Sequence, residues 1–498
     1  MTAADASSPD LLDRVLALST RRLILLVLAI AALLRLPLAL VDFYNHPDEI
    51  WQYLEPAYGM ITGRSVVTWE YRLNMRSWLL PTLFVPPMWA GLAMAPGTVL
   101  PIALSRLVSA ALSLLVVLFG MLIAGRFSKL HALTAGLVLA VSTELVYFSG
   151  RTSSDGLALP PFFAAAWLLL GGAPRTFRRT LVAGLMLGLC FAVRFQLAPA
   201  LATLALGCCL LDRRAWAPLA AGGLAGVAID AAVNALHGQA PLAWMLNNFR
   251  LNLVDNASAR YGIEPPFWYL TDRVDLWGPL TLPLLALIAI GARRLPVLLA
   301  VAVVNLAAHS LIPHKEFRFL LLTDALFLLL AAIGTADIAR WAIGRRRRGG
   351  LAILMVGGGF WVGASAVLAF NDPRHERWNA NRVTVALFRD LRSRPEICGV
   401  AYYKPVRALL STAYIQRPLP LSYFDEHARA DLLARRRMFN ALLAPITERV
   451  DADTGYTRQR CYDGLQGTND CLYTRPGGCA PATDRRFDIN TVLQQQGR

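Results

Sequence analysis

Long apolar stretches recur from Leu23 to Phe370, most of them about 17 to 22 residues long, and each can cross a bilayer as a helix. A chain built this way must satisfy its backbone polar groups internally wherever it meets lipid. Only 16% of the 498 residues are charged and 56% are hydrophobic, whereas a soluble chain carries about 25% charged residues. The composition therefore indicates a polytopic membrane enzyme or transporter.

The spacing predicts eleven crossings, at about 23–41, 101–123, 132–148, 156–172, 181–197, 198–211, 215–236, 277–291, 295–311, 317–337 and 350–370. Leu79 to Met94 is apolar but carries Pro81, Pro86 and Pro87, so it reads as interfacial or re-entrant. The net charge of +16 could suggest nucleic acid. Placement argues against that, because the arginines cluster in short loops: Arg21-Arg22, Arg126 with Lys129, Arg175 with Arg178-Arg179, Arg213-Arg214, Arg293-Arg294, and Arg340 with Arg345 to Arg348. Short basic loops mark the cytoplasmic side. That assignment makes residues 1–22 a cytoplasmic tail and 23–370 the transmembrane domain, and it puts the polar loops 42–78, 149–155, 237–276 and 312–316 outside.

The apolar runs stop near Asn371, leaving a segment long enough for a small outer domain, 371–498, of mixed helical and alternating pattern. It holds Cys398, Cys461, Cys471 and Cys479, an even number that suggests disulfides with three possible pairings. Zinc is the rival reading, weakened because no histidine lies near the last three. Cys190, Cys208 and Cys209 fall in apolar runs and read as packing residues.

Chemistry concentrates in the outer loops. Asn45-His46-Pro47-Asp48-Glu49 follows the first apolar run, and ionisable groups at that depth point to a functional site. Pro47 suits a first helical position. Glu49 at the third can then satisfy free backbone N–H groups, leaving Asp48 for chemistry. Crowded carboxylates should raise one of the two pKa values toward the range of a base. The competing reading is that both acids only cap an interfacial helix.

Arg151 and Asp155 mark the next outer junction, where a local ion pair and a serine cap are the plain alternative. Arg194 ends an apolar run, suited either to snorkelling or to binding a buried anion. The 237–276 loop carries Asn248, Asn252, Tyr261, Glu264 and Trp268, a mixture of rings and amides that suits sugars. His314-Lys315-Glu316-Phe317-Arg318-Phe319 precedes an apolar helix and can turn several cations toward one anion. There is no P-loop, no DxD pair and no GxGxxG after a strand, so a soluble nucleotide-sugar domain is absent. A carboxylate base, phosphate-binding cations and a sugar-binding loop together match glycosyl transfer from a lipid phosphate.

At this point the sequence resembles a family: the polytopic mannosyltransferases of the GT-C superfamily, glycosyltransferase family 22, which act on the GPI anchor and on dolichol-linked oligosaccharides. The resemblance rests on His46-Pro47-Asp48-Glu49 with Trp51-Gln52 and Glu55, on Thr68-Trp69-Glu70-Tyr71 with Arg76-Ser77 and Pro81, and on Arg151-Thr152. It continues through Asn248-Phe249 with Asn252, Tyr261-Gly262 with Trp268-Tyr269, and the HKE-x-RF hexapeptide from His314.

The resemblance implies an all-α polytopic GT-C fold with interfacial helices in the first outer loop, followed here by a small extracytoplasmic α/β domain. It implies inverting transfer from a polyprenyl-phosphate mannose to a lipid-linked glycan or glycolipid, with no metal or other cofactor. Asp48, with Glu49 as neighbour or alternate, would be catalytic. His314, Lys315, Arg318, Arg194 and Arg151 would face the donor phosphate. His46, Trp51, Gln52, Glu55, Trp69, Glu70, Asn248, Asn252, Tyr261 and Trp268 would face sugar or acceptor. Ser153-Ser154-Asp155 departs from the eukaryotic pattern, and the tail beyond about 451 has no counterpart in the family. The arginine- and alanine-rich composition with short loops suggests a bacterial inner membrane and a periplasmic site. A transferase for another lipid-linked sugar, such as arabinose or glucose, and a lipid-linked-substrate transporter are the alternatives. A transporter would show internal repeats and midplane charges, and neither is seen.

Overall fold

The computed structural model describes residues 16–171, 175–345, 350–371, 378, 381–404, 411–463, 469–481 and 485–496. Most of the expected cytoplasmic tail and part of the Arg345–Arg348 cluster lie outside these residues.

Each of the eleven expected segments contains helix. Among the described residues, five helices are long and apolar enough to cross a membrane: Thr20–Leu40, Leu100–Ala124, Arg213–Leu236, Trp268–Ala292 and Phe317–Gly344. A sixth arises if Lys129–Val141 and Thr143–Ser149, bent by 60° at Ser142, count as one span. Ser154–Leu169, Phe195–Cys209 and Pro296–Ser310 are shorter apolar helices, and Val356–Phe370 belongs to the 22-residue helix Gly350–Asn371. Leu79–Met94 is one continuous helix that runs through Pro86 and Pro87 and packs beside Leu100–Ala124.

Small residues let the helices meet closely. A Cβ on Gly188 would overlap the Gly223 carbonyl, and one on Gly222 the Leu181 carbonyl, so Phe177–Val193 and Arg213–Leu236 touch backbone to backbone. Lipid offers helices no hydrophobic drive to associate, and close van der Waals contact of this kind takes its place.

Buried arginines satisfy the backbone where helices break. Arg35 donates to the carbonyls of Leu139 and Ala140, both at 2.6 Å, just before the bend. Arg106 donates to Val41 O at 2.8 Å and Phe43 O at 2.5 Å, and Arg151 donates to Phe43 O at 2.7 Å. Together they fix the strand-like run that leads from the first helix into the Asp48 stretch.

The outer domain is α/β, as expected. Its strands are β1 (Val400–Tyr403), β2 (Leu421–Phe424), β3 (Ala441–Pro445), β4 (Thr457–Asp463) and β5 (Asn469–Thr474), in spatial order β2-β1-β3-β5-β4. β1 pairs in parallel with β2 and β3, and β5 is antiparallel to β3 and β4. A short helix, Arg429–Arg435, precedes β3. Two disulfides, Cys398–Cys479 and Cys461–Cys471, select one of the three pairings. Cys190 and Cys209 are buried, and Cys208 is partly so.

Glu55 joins this domain to the first loop. Its buried carboxylate accepts from Val66 N at 2.9 Å, Ser411 Oγ at 2.7 Å, and Thr412 N and Ala413 N at 3.0 Å each. Expected to touch sugar, Glu55 instead fastens the short helix Thr412–Ile415 to the transmembrane domain.

Candidate active site

The Asp48 stretch opens into a π-helical turn, Glu49–Leu54. Glu49 is 2% exposed, and its Oε1 accepts from Asn45 N at 2.6 Å and His46 N at 3.3 Å. Its other oxygen lies 3.9 Å from Arg151. Glu49 thus caps the turn, as its position predicted, and Asp48 is left facing a cavity of about 700 Å³.

That cavity collects side chains from five segments. His46, Asp48, Trp51 and Gln52 come from the first turn, and Trp69, Glu70 and Arg76 from the segment after it. Arg194 follows the helix Phe177–Val193, Asn248, Asn252 and Tyr261 come from the long loop, and His314, Lys315 and Arg318 from the HKE-x-RF stretch. Three predicted residues beyond Glu49 do not line it. Glu55 is occupied as described, Arg151 stacks its guanidinium 3.8 Å from the Phe43 ring centre, and Trp268 packs against Tyr269.

Arg318 is the electrostatic hub. It donates to Asp48 Oδ2 at 2.7 Å, to Glu316 Oε2 at 2.6 Å and, more weakly, to Asp155 Oδ2 at 3.4 Å. Asp155 also binds Arg194 at 2.9 Å. A local Arg151–Asp155 pair is therefore replaced by long-range pairs, because Arg151 turns to Glu49 and Phe43. His46 lies 3.3 Å from Asp48 and 3.6 Å from Glu316, and His314 contacts Glu316 at 3.1 Å. Lys315 donates to the carbonyls of Ile312, at 2.5 Å, and Glu264, at 3.1 Å, so these contacts meet its charge with dipoles.

These neighbours reverse one expectation. Burial pushes the Asp48 carboxyl up, but His46 and Arg318, with Arg76 further away, hold it well below the usual carboxylate range. Crowding with Glu49 does not raise it, since Glu49 is turned into backbone N–H groups. Glu316 is likewise held low against its burial, by Arg318, His314 and His46.

The opposite wall is built for neutral polar groups. Gln52 Nε2 donates to both Glu70 oxygens at 3.2 Å, and Glu70 also holds Arg76 through Nε at 3.1 Å. Asn252 donates to Asn248 at 3.0 Å, and Asn248 donates to the Met75 carbonyl at 3.3 Å. Sequence reasoning treated Asp155 as a local partner of Arg151 and did not identify His309, Gln196 or Leu493, which also line the cavity. His309 and Gln196 fall inside the expected apolar segments 295–311 and 181–197, with no motif around them. Among the described residues, no group of His, Cys, Asp or Glu forms a metal cluster.

The profile of the Alg9-like mannosyltransferase family matches residues 25–375, which covers every cavity residue named above except Leu493. The chain belongs to that family. Its relatives include GPI mannosyltransferase 3 of Yarrowia lipolytica, 26% identical over 418 residues, covering 79% of this chain and 76% of the relative. The Drosophila melanogaster GPI mannosyltransferase 3 is 28% identical over 360 residues, 65% of this chain and 57% of that protein. Among solved structures, the ArnT from Cupriavidus metallidurans bound to undecaprenyl phosphate superposes with a TM-score of 0.62 at 12% identity, covering 93% of this chain and 100% of that one. Its apo form gives a TM-score of 0.59. This mannosyltransferase family member is thus an integral membrane glycosyltransferase with the GT-C fold.

Proposed function

We propose that the protein is an inverting α-mannosyltransferase that takes mannose from a polyprenyl-phosphate mannose and places it on a hydroxyl of a lipid-linked glycan or glycolipid. The observation that carries this reading is Asp48 on the cavity wall, ion-paired to Arg318. A carboxylate and a phosphate-binding cation meet where an acceptor hydroxyl and a leaving phosphate must meet.

In this mechanism the donor phosphate draws on Arg318, Arg194 and Lys315. As Arg318 turns to the phosphate, Asp48 loses one of the two partners, with His46, that hold its basicity down. Asp48 then takes the proton of the acceptor hydroxyl while that oxygen bonds to the anomeric carbon. The carbon–oxygen bond to phosphate breaks on the opposite face, and the bonding pair leaves with the phosphate. Preorganised cations in a water-poor cavity stabilise that charge. His314, held by Glu316, orients the cation cluster. Glu49 and Arg151 act through the backbone by fixing the turn. Trp51, Gln52, Trp69, Glu70, Asn248, Asn252 and Tyr261 contact the sugars.

The cavity opens on the extracytoplasmic side. Two disulfides favour an oxidising compartment for the outer domain, which also contributes Leu493 to the cavity wall. The basic loops occupy the other side. Composition and short loops favour a bacterial inner membrane, which would make the donor lipid undecaprenyl or decaprenyl phosphate. The ArnT structure supplies a parallel, in that a protein of this fold binds undecaprenyl phosphate.

The test is a donor panel with the purified protein in lipid, comparing mannose, glucose and arabinose carried on polyprenyl phosphate. Transfer from the mannose donor alone supports the reading, and transfer only from another sugar assigns the site to that sugar.

A further inference from the structure

The outer domain's terminal helix, Ile489–Gln496, reaches back to the first loop. Asn490 Oδ1 accepts from Val67 N at 2.8 Å, and its Nδ2 donates to Ser65 O at 3.0 Å. Arg72 Nη2 donates to Asn490 O at 2.9 Å and to its Oδ1 at 3.3 Å. One side chain therefore holds both ends of the segment Ser65–Arg72. Between those ends lie Thr68, Trp69 and Glu70, all on the cavity wall. One turn further along the terminal helix, Leu493 lines the cavity itself. The Glu55 clasp grips the same segment at Val66 from the other side.

This side of the cavity differs in chemistry from the Arg318 side. It offers an aromatic face in Trp69 and a carboxylate in Glu70 braced by Gln52 and Arg76, a set suited to the C–H face and hydroxyls of a sugar. We infer that the outer domain is a working part of the acceptor half of the site, with Asn490 as the positioning residue that sets Trp69 and Glu70 against an acceptor glycan. The inference rests on the transferase reading for the identity of the ligand, but its geometry lies in a domain that falls outside the family match. Because that domain differs from the family core, it can adapt the acceptor site while Asp48 and Arg318 stay unchanged.

The experiment uses the full-length protein in lipid nanodiscs as wild type, Asn490→Ala and Asn490→Asp. Mannose transfer is followed from polyprenyl-phosphate mannose into a lipid extract of host membranes, varying each in turn. N490A should raise the amount of extract needed for half-maximal rate about tenfold, the scale of a lost hydrogen-bonding residue. The donor KM and the melting temperature should stay at wild-type values. N490D keeps the acceptor oxygen for Val67 and should recover most of the loss. An unchanged extract dependence, or a loss tracking a lower melting temperature, would overturn the inference.

Should the wild type transfer no mannose at all, the transferase reading fails, and hydrogen exchange decides the positioning separately. N490A should speed amide exchange over Val66–Arg72 at least tenfold while leaving Glu49–Leu54 unchanged. Equal exchange in both proteins would show that Asn490 positions nothing.

Discussion

Arg318 reaches Asp48 across 270 residues of sequence and donates to its Oδ2 at 2.7 Å, which ties the proposed base to a cation that also holds Glu316 and Asp155. In the proposed mechanism this pair would hold the base in a less reactive state. A ligand phosphate that competes for Arg318 would release Asp48 only when the donor is in place, which protects a bound donor from an idle base.

Substituting Arg318 by alanine removes the contact to Asp48 and the cation for the phosphate together. Donor KM should rise by roughly tenfold or more, the scale of a lost charge-assisted hydrogen bond, and turnover should fall with it. Arg318→Lys should restore part of the donor binding, since a point charge replaces a planar fork. Steady-state kinetics with varied donor separates the two variants, and an unchanged donor KM in R318A would remove Arg318 from the phosphate site.

The depressed Glu316 and Asp48 carboxyls make stability pH-dependent with a defined sign. A group whose folded pKa lies below its unfolded value stabilises the fold above the unfolded value and loses that contribution as pH falls through the folded one. Melting temperature should therefore drop as pH is lowered beneath the ordinary carboxylate values of 3.8 and 4.5. His314 acts in the opposite sense, because its hydrogen bond to Glu316 raises it above 6.5. Its contribution is complete below pH 6.5 and fades as pH rises through the folded value. Glu316→Gln should flatten both limbs in a thermal-unfolding series, and a curve identical to wild type would contradict the assignment.

Glu55→Ala should destabilise the junction between the domains by about 3 kcal/mol, because several buried donors lose one acceptor. Limited proteolysis should then cleave near Thr412 first. A melting temperature at the wild-type value would mean that the outer domain is seated by other contacts.

Gly188→Leu should leave little folded protein, since even a Cβ there overlaps the Gly223 carbonyl. Size-exclusion profiles in mild detergent report it directly. A monodisperse wild-type profile would mean that the two helices can separate without cost.

The helical segments, the polar loops between them and both signature stretches were legible because each is a local pattern. Pairing was not. Asp155 lies four residues from Arg151 yet binds Arg194 and Arg318, and nothing in the local sequence reveals that Arg151 is drawn away by the Phe43 carbonyl and ring. Glu55 sits among site residues, but its side chain leaves the cavity side of the turn and serves the outer domain. The low pKa of Asp48 was legible only in part, because beside its sequence neighbour His46 the lowering charge comes from distant Arg318. Contributions from Asn490 and Leu493 depend on how a terminal helix docks, which composition cannot express.

The most direct measurement compares wild type with Asp48→Asn in lipid, using labelled polyprenyl-phosphate mannose and host lipid extract, with donor binding measured in parallel. Wild type should move label into a new glycolipid, and D48N should bind donor while transferring about a thousandfold more slowly, the scale of a lost general base. Near-wild-type transfer by D48N would contradict Asp48 as the base and with it the central claim.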